Sequence, residues 1–394
     1  MDATKKICPI CESNAVSIFL GIPQVPVNCN VLWSTRDEAI RAPKGDIQLG
    51  FCRSCGHIYN FLFEPDILDY TQDYENSLHY SPRFQKYAEY LAGKLVESHG
   101  LFNKDIIDIG CGAGNFLKLL CHIGGNRGLG FDPSRIIDRS ASLAKDGITL
   151  IKDFYSKRYS NCKADAICCR HVLEHIQSPR QFLHTVRQTL NDRLSTIVFF
   201  EVPNVLFTLK ELGIWDLIYE HPSYFSLPSF AVAFNSTGFK VFRIYEAFEG
   251  QFLCIEAFPT DESENSSDSY SSDLEKLTTY VLKFADKYRS KLKSWDHKLK
   301  QIISNGKRAV LWGAGSKGVT FMNSLGVTHQ IEYVIDLNPY KQGKYVAGTG
   351  QEIMRPEFLR KYRPDIVIVM NPIYYEEIKK SIDNMDLAVE MIVA

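Results

Sequence analysis

The sequence predicts an α/β protein in which two successive units alternate strand and helix around mostly parallel sheets, behind a small cysteine-bearing unit. Three observations carry this. Between about residues 76 and 258, short apolar strands alternate with amphipathic helical stretches, which places parallel strands in a sheet covered on both faces. From residue 306 the pattern starts again with RAVLWGAGSKG, IEYVID and PDIVIVM. Before residue 75, two CxxC pairs stand among prolines and short β-type runs.

Bulk properties narrow the function classes. A length of 394 residues allows two or three domains with a large core, and 45% apolar content is that of an ordinary globular chain. A net charge of −1 provides no basic field for nucleic acid or an anionic membrane. No apolar run reaches the roughly 18 residues of a spanning helix. The start, MDATKKICPICES, lacks an apolar signal core, so a cytoplasmic protein is expected. Eleven cysteines in that setting point to metal ligands and buried thiols over disulfides.

In the first unit (1–75), Cys8-Pro-Ile-Cys11 and Cys52-Arg-Ser-Cys55 form two knuckles. Each can present two thiolates to one tetrahedral ion, so together they offer the four sulfurs of a structural zinc site. Four such ligands leave no open position for chemistry. Cysteines 29, 111, 121, 162, 168, 169 and 254 read mostly as small core residues, with Cys111 lining the turn described next.

The second unit (76–258) predicts the helix FQKYAEYLAGKLVESH and then the strand DIIDIG, which runs into the turn CGAGN. Gly110, Gly112 and Gly114 let the backbone pass close to a ligand. Asp108 ends the strand. Asp132, at the tip of the next strand (RGLGFD), can accept hydrogen bonds from both hydroxyls of a ribose. Another nucleotide-binding unit, or a turn without ligand, has the same outline. The order D-x-G-C-G-x-G followed by an acid one strand later resembles the class I S-adenosylmethionine (SAM) methyltransferases. The resemblance implies a Rossmann-like core with SAM as cofactor, and cofactor contacts at Asp108, Gly110, Gly112, Gly114, Asp132, Asp153, Phe154 and His171. Further strands follow at ITLIK, ADAICCR and STIVFFEV, with a helix at SPRQFLHTVRQTL. KVFRIYEAF and FLCIEAF then fit an antiparallel sheet edge.

The fourth strand of this unit opens into RHVLEH, which gathers His171, Glu174 and His175 at the ligand edge of the sheet. His171 and His175 also have the spacing of an HxxxH metal pair. After the fifth strand comes an aromatic-rich insert, NVLFTLKELGIWDLIYEHPSYFSL, expected to cap the pocket. His221 beside Glu220 could act as a base whose pKa a neighbouring carboxylate tunes.

Residues 259–305 begin as an acidic, serine-rich linker (TDESENSSDSYSSD). Leu277, Val281, Phe284, Tyr288, Leu292, Trp295, Leu299 and Ile302 then recur in steps of three and four, which predicts one face of a long helix packed on a neighbouring domain or a second copy. In the last unit (306–394), Gly313-Ala-Gly315-Ser-Lys-Gly318 follows a strand and Asp336 comes about twenty residues later. Taken alone this fits a dinucleotide turn, a purely structural turn, or a phosphate cradle with Lys317 adding charge.

Over nearly its whole length the chain resembles the three-domain sugar C-methyltransferases that act on nucleotide-linked 4-keto-deoxyhexoses. The shared features are CPIC and CRSC, FEPDILDYTQDYENSLHYSP, DIGCGAGNF, FEVPN, YEHPSYFSL, WGAGSKGVTFMNSLG and YVIDLNPYKQGKYVAGT. The resemblance implies an N-terminal zinc-binding domain with four cysteine ligands, a class I methyltransferase core and a C-terminal Rossmann-like domain that helps bind substrate. It also implies His221 as catalytic base, with Glu220, His175 and Tyr74 as catalytic partners. Tyr219, Tyr224 and Lys317 are expected at the acceptor. In the family's lid motif one residue separates tyrosine from glutamate, whereas here Tyr219 adjoins Glu220 and Ile218 stands at the tyrosine position. The implied reaction is methylation of a carbon next to a ketone through an enolate, on a small-molecule nucleotide sugar, by a monomer or homodimer without nucleic-acid or membrane partners. An O- or N-methyltransferase, and a non-catalytic SAM-binding scaffold, are the alternatives.

Overall fold

The computed structural model describes residues 7–68, 74–134, 143–261 and 270–394. Most of the expected acidic linker lies outside them. Three sheets organise the described chain, with strands numbered along the sequence. The middle sheet holds β4 (Asp105–Ile109), β5 (Arg127–Phe131), β6 (Ile148–Ile151), β7 (Ala166–Arg170), β8 (Ile197–Pro203), β10 (Phe239–Ala247) and β11 (Phe252–Pro259). Its order is β10-β11-β8-β7-β4-β5-β6. The five strands from β8 to β6 are parallel, and β11 runs antiparallel to both β8 and β10.

The central strands have no polar face because helices cover both sides. All residues of β8 are buried except its terminal proline. Chain order reverses between β4 and β7, which leaves a crevice beyond their carboxyl ends. The helix Pro82–His99 leads into this unit. Ser81 caps it by accepting from Phe84 N–H, Pro82 occupies the first turn, and Gly100 ends it in the left-handed region.

A smaller antiparallel sheet holds β1 (Val16–Pro26), β2 (Lys44–Cys52), β3 (Ile58–Asn60) and β9 (Ser223–Tyr224), in that order. The last strand comes from the aromatic insert, so the insert is built into the N-terminal unit's sheet. Ile58 pairs with Tyr224 and Tyr59 with Ser223. Asn60 N–H donates to Pro222 O at 2.9 Å, and Ser226 Oγ donates to Gly56 O at 2.9 Å.

The third sheet is wholly parallel: β12 (Ala309–Trp312), β13 (Ile331–Ile335), β14 (Glu352–Met354), β15 (Ile366–Val369) and β16 (Glu390–Val393), in the order β14-β13-β12-β15-β16. The long helix Ser271–Ser304 binds the units together. Its buried face matches the expected positions, apart from Leu292, which is partly exposed. Phe284 meets Phe19 of β1, and Trp295 meets Phe321 of the C-terminal unit. The apolar stripe is therefore satisfied within the chain, by neighbouring units.

Candidate active site

A cavity of about 620 Å³ opens at the carboxyl ends of β4 and β7 and extends to the C-terminal unit. The turn after β4 forms its floor. Gly110, Gly112 and Gly114 all have positive φ, but they serve different purposes. A Cβ on Gly110 would lie 2.1 Å from Val172, and one on Gly114 would lie 2.9 Å from Leu143, so close packing requires both. Only Gly112 faces open space, and of the three it alone could receive a ligand where a side chain would project. Gly114 does not line the cavity.

Asp132 Oδ2 accepts from Gly112 N–H at 2.8 Å, and its Oδ1 accepts from Ser134 N–H at 2.9 Å. The carboxylate thus shapes the turn and keeps lone pairs for ribose hydroxyls. Burial pushes Asp108 up to about 7, against the pull of Arg170. Asp153 accepts from Phe154 N–H at 2.8 Å and holds Tyr159 and Arg158. Phe154 is 62% exposed while lining the cavity, an apolar ring placed to stack on a planar base. An open glycine, a ribose-competent acid and an unstacked aromatic together fit SAM.

His171 has φ 55°, a strained conformation for this residue type, and lines the cavity. Its Nε2 lies 2.8 Å from Glu201 Oε1 as an ion-pair contact out of line for a hydrogen bond, and its Nδ1 lies 3.6 Å from Glu174. Burial opposes its charge, but the two carboxylates outweigh burial and raise it to about 9. Glu201 is also paired with Arg170 at 2.8 Å and accepts from Tyr87. Burial works against Glu201's charge as well, yet Arg170 and His171 hold it down to about 2. Sequence reasoning missed this network. Its signal was an acid inside the otherwise apolar run of β8.

The lid and the walls facing it carry the remaining candidates. The His175 and His221 rings meet edge-to-face with centroids 4.7 Å apart. Burial lowers both pKa values, and the positive fields of His175, His171 and Lys317 press His221 further, well below the ordinary histidine range. His221 lines the cavity, and its ring makes no hydrogen bond among the described residues. Among the described residues, His171 joins no group of three or more potential metal ligands with His175. Instead, potential ligand atoms of Glu174, His175 and His221 lie within 4.8 Å of one another.

Two placements differ from expectation. Glu220 does not orient His221: its carboxylate is fully buried, with Oε1 accepting from Cys29 N–H at 3.1 Å and Oε2 from Tyr74 O–H at 3.4 Å. Burial pushes it up to about 8. Tyr219 turns away from the cavity. Its ring packs over Gly45 of β2, and its hydroxyl accepts from Glu64 N–H and donates to Leu62 O. Ile218, one residue earlier, lines the cavity instead. This exchange follows from the missing spacer before Glu220. Tyr224 lines the cavity with its ring, while its hydroxyl bonds both the N–H and O of Ile218. Lys317 reaches the cavity paired with Asp216.

Away from the cavity, Cys8, Cys11, Cys52 and Cys55 gather, with sulfurs 3.6 Å (Cys8–Cys55) and 3.5 Å (Cys11–Cys52) apart and all within 4.8 Å. Zn–S bonds of about 2.3 Å in a tetrahedron require sulfurs roughly 3.8 Å apart, so the group fits one zinc ion.

Comparison with known proteins extends the account beyond geometry. Residues 82–244 match the family described as "Methyltransferase domain". Residues 265–393 match "C-methyltransferase C-terminal domain". C-methyltransferase NovU of Streptomyces niveus is 26% identical over 96% of this chain and 91% of its own. The two matched domains and the full-length relative support a multi-domain C-methyltransferase family for this chain. The chain is a SAM-dependent methyltransferase with a class I, Rossmann-like core. Among solved structures, the C-methyltransferase is similar to N,N-8-amino-8-demethyl-D-riboflavin dimethyltransferase of Streptomyces davawensis, at 18% identity and TM-score 0.36. That match covers 45% of this chain and just over half, 56%, of the other. It is also similar to magnesium protoporphyrin IX methyltransferase of Synechocystis, at 17% identity and TM-score 0.36, over 45% of this chain and 84% of that one. No helix of this C-methyltransferase among the described residues is long and apolar enough to cross a membrane.

Proposed function

We propose that this enzyme methylates a carbon next to a ketone in a nucleotide-linked keto-deoxysugar, with His221 as the base that forms the enolate. The observation that carries this reading is the His221 ring: it lines the same cavity as the SAM turn and makes no hydrogen bond among the described residues, and burial holds it well below the ordinary histidine range. A C–H beside a ketone is too weak an acid to ionise unaided at neutral pH, so a positioned base must take the proton while donors hold the oxyanion. His175 stands edge-to-face against His221 and fixes the plane of its ring. Tyr74, whose O–H donates to Glu220 Oε2 at 3.4 Å, lines the same cavity and is the candidate group near the oxyanion. SAM, when bound at the β4 turn, supplies the methyl group. The geometry of Cys8, Cys11, Cys52 and Cys55 supports a structural zinc that fixes the knuckles from which β3 runs to the lid strand β9.

The experiment is a screen of nucleotide-linked keto-deoxysugars with SAM, reading product mass and the carbon connectivity of the new methyl by NMR. Methylation of a carbon beside the carbonyl is expected. A product carrying the methyl on oxygen or nitrogen would refute the enolate route.

A further inference from the structure

Glu174 lines the cavity yet is only 2% exposed, and its Oε2 is buried with no hydrogen-bond partner among the described residues. The other carboxylate oxygen, Oε1, stands 3.6 Å from His171 Nδ1. A buried carboxylate oxygen that meets neither a donor nor a cation is strongly unfavourable. Neither the SAM turn nor the proposed proton transfer makes use of this residue.

Two imidazoles stand beside that carboxylate. One ligand atom each from Glu174, His175 and His221 lies within 4.8 Å of the other two. Ligands bonded at about 2.1 Å to one ion are at most about 4.2 Å apart, so a closing movement of about an ångström brings all three onto it. Both histidines offer lone pairs at neutral pH, since burial holds them below the ordinary histidine range. The His175 ring is hydrogen-bonded to the main chain of Glu220 in the sense that favours its protonated form, so the ring is the donor there. Metal-binding imidazoles use one nitrogen in this way, which fixes the tautomer and turns the other nitrogen toward the ion. The cationic groups whose fields reach His221 from other elements, His171 and Lys317, are already paired with Glu201 and Asp216. Two imidazoles and one carboxylate suit zinc and its neighbours in the first transition row, whereas magnesium and calcium prefer oxygen alone.

We propose that Glu174, His175 and His221 form a second metal site, separate from the cysteine cluster, which takes a zinc-class divalent ion and blocks the enzyme when filled. Binding at this site is independent of the acceptor's identity. The block rests on His221 being the base proposed above, because a lone pair given to a metal is not available to a proton. Three ligands, one of them on the lid, hold an ion less firmly than four thiolates. The site therefore fills after the cysteine cluster and empties before it, which makes methyl transfer sensitive to free zinc.

The test is a cobalt(II) titration of the full chain carrying its structural zinc, followed by visible absorption. Cobalt held by nitrogen and oxygen shows d–d bands without the sulfur-to-metal charge transfer that exchange into the cysteine cluster would add, and elemental analysis checks that the zinc stays in place. Wild type is compared with Glu174→Gln, which keeps the shape of the side chain, and with His221→Ala. Affinity for S-adenosylhomocysteine within twofold of wild type certifies that each variant is folded. Wild type should take up one cobalt ion, displaced by added zinc and not by magnesium or calcium. Loss of an outer partner costs a metal site about 10- to 100-fold in affinity, so loss of a ligand in either variant should weaken cobalt binding at least that much. Saturating zinc should stop turnover of the acceptor found in the screen, and dialysis should restore it. The absence of cobalt bands in wild type, bands that come only with sulfur charge transfer, or equal cobalt affinity in wild type and both variants overturns the site. Cobalt bound through these residues with turnover undiminished sustains the site but overturns the block, and with it His221 as the base.

Discussion

His221 and His175 meet edge-to-face at 85°, with ring centroids 4.7 Å apart, and this contact joins the lid to the carboxyl end of β7. His221 reaches it from the lid; His175 belongs to the short turn Leu173–His175 that follows the strand. A base carried on the lid is thereby held in place by a ring carried on the sheet. His221→Ala should therefore lower kcat by about 10²–10⁴, the usual range for a lost general base, with S-adenosylhomocysteine affinity unchanged. Steady-state kinetics and calorimetry check this together.

The pH dependence follows from the same surroundings. Burial first, then the cationic fields around it, hold His221 well below the ordinary histidine range. The base stays unprotonated as pH falls through about 6.5, so kcat/KM should remain level there and drop only at lower pH. An acid-side limb centred near 6.5, where an ordinary histidine titrates, would contradict this placement of His221.

Glu220 offers a stability test. Burial raises its folded pKa to about 8, while the unfolded carboxyl titrates near 4.5. Between those values the native state holds the extra proton, so this group weakens the fold as pH rises and has no such effect below 4.5. Glu220→Gln keeps the shape and stays neutral. It should match wild type near pH 4.5 and exceed it by a few kcal/mol at pH 8 and above, as read from denaturant melts across pH.

Gly112→Ala places a methyl in the open space over the turn, at a backbone position with φ 55°. S-adenosylhomocysteine affinity should fall at least tenfold, on the order of 1.4 kcal/mol, measured by calorimetry. The fold should persist, because among the described residues no atom comes within 4 Å of that Cβ.

The cysteine cluster predicts one zinc per chain by elemental analysis, and Cys55→Ser should abolish it. Since β3 leaves the second knuckle and pairs directly with β9, the metal-free protein should also show faster amide exchange at Ser223 and Tyr224.

Much of this architecture was legible in the sequence because its signals are local. The CxxC pairs, the glycine turn with Asp108 and Asp132, and the period of the long helix each state their structure in a few residues. What was not legible depends on distant pairing. β9 is two residues long and becomes a strand only by meeting β3, some 165 positions earlier. Tyr219 looked like a site residue by proximity to Glu220, but the two occupy a turn closed by His221 N–H on Ile218 O at 3.3 Å, and Tyr219 faces β2.

The most direct measurement is proton exchange in deuterated water. With S-adenosylhomocysteine in the cofactor site and a nucleotide-linked keto-deoxysugar as acceptor, the wild-type enzyme should replace the hydrogen beside the ketone with deuterium, and His221→Ala should not. Exchange at the same rate in both proteins, or none in a wild type that still methylates that carbon, would contradict His221 as the base that makes the enolate.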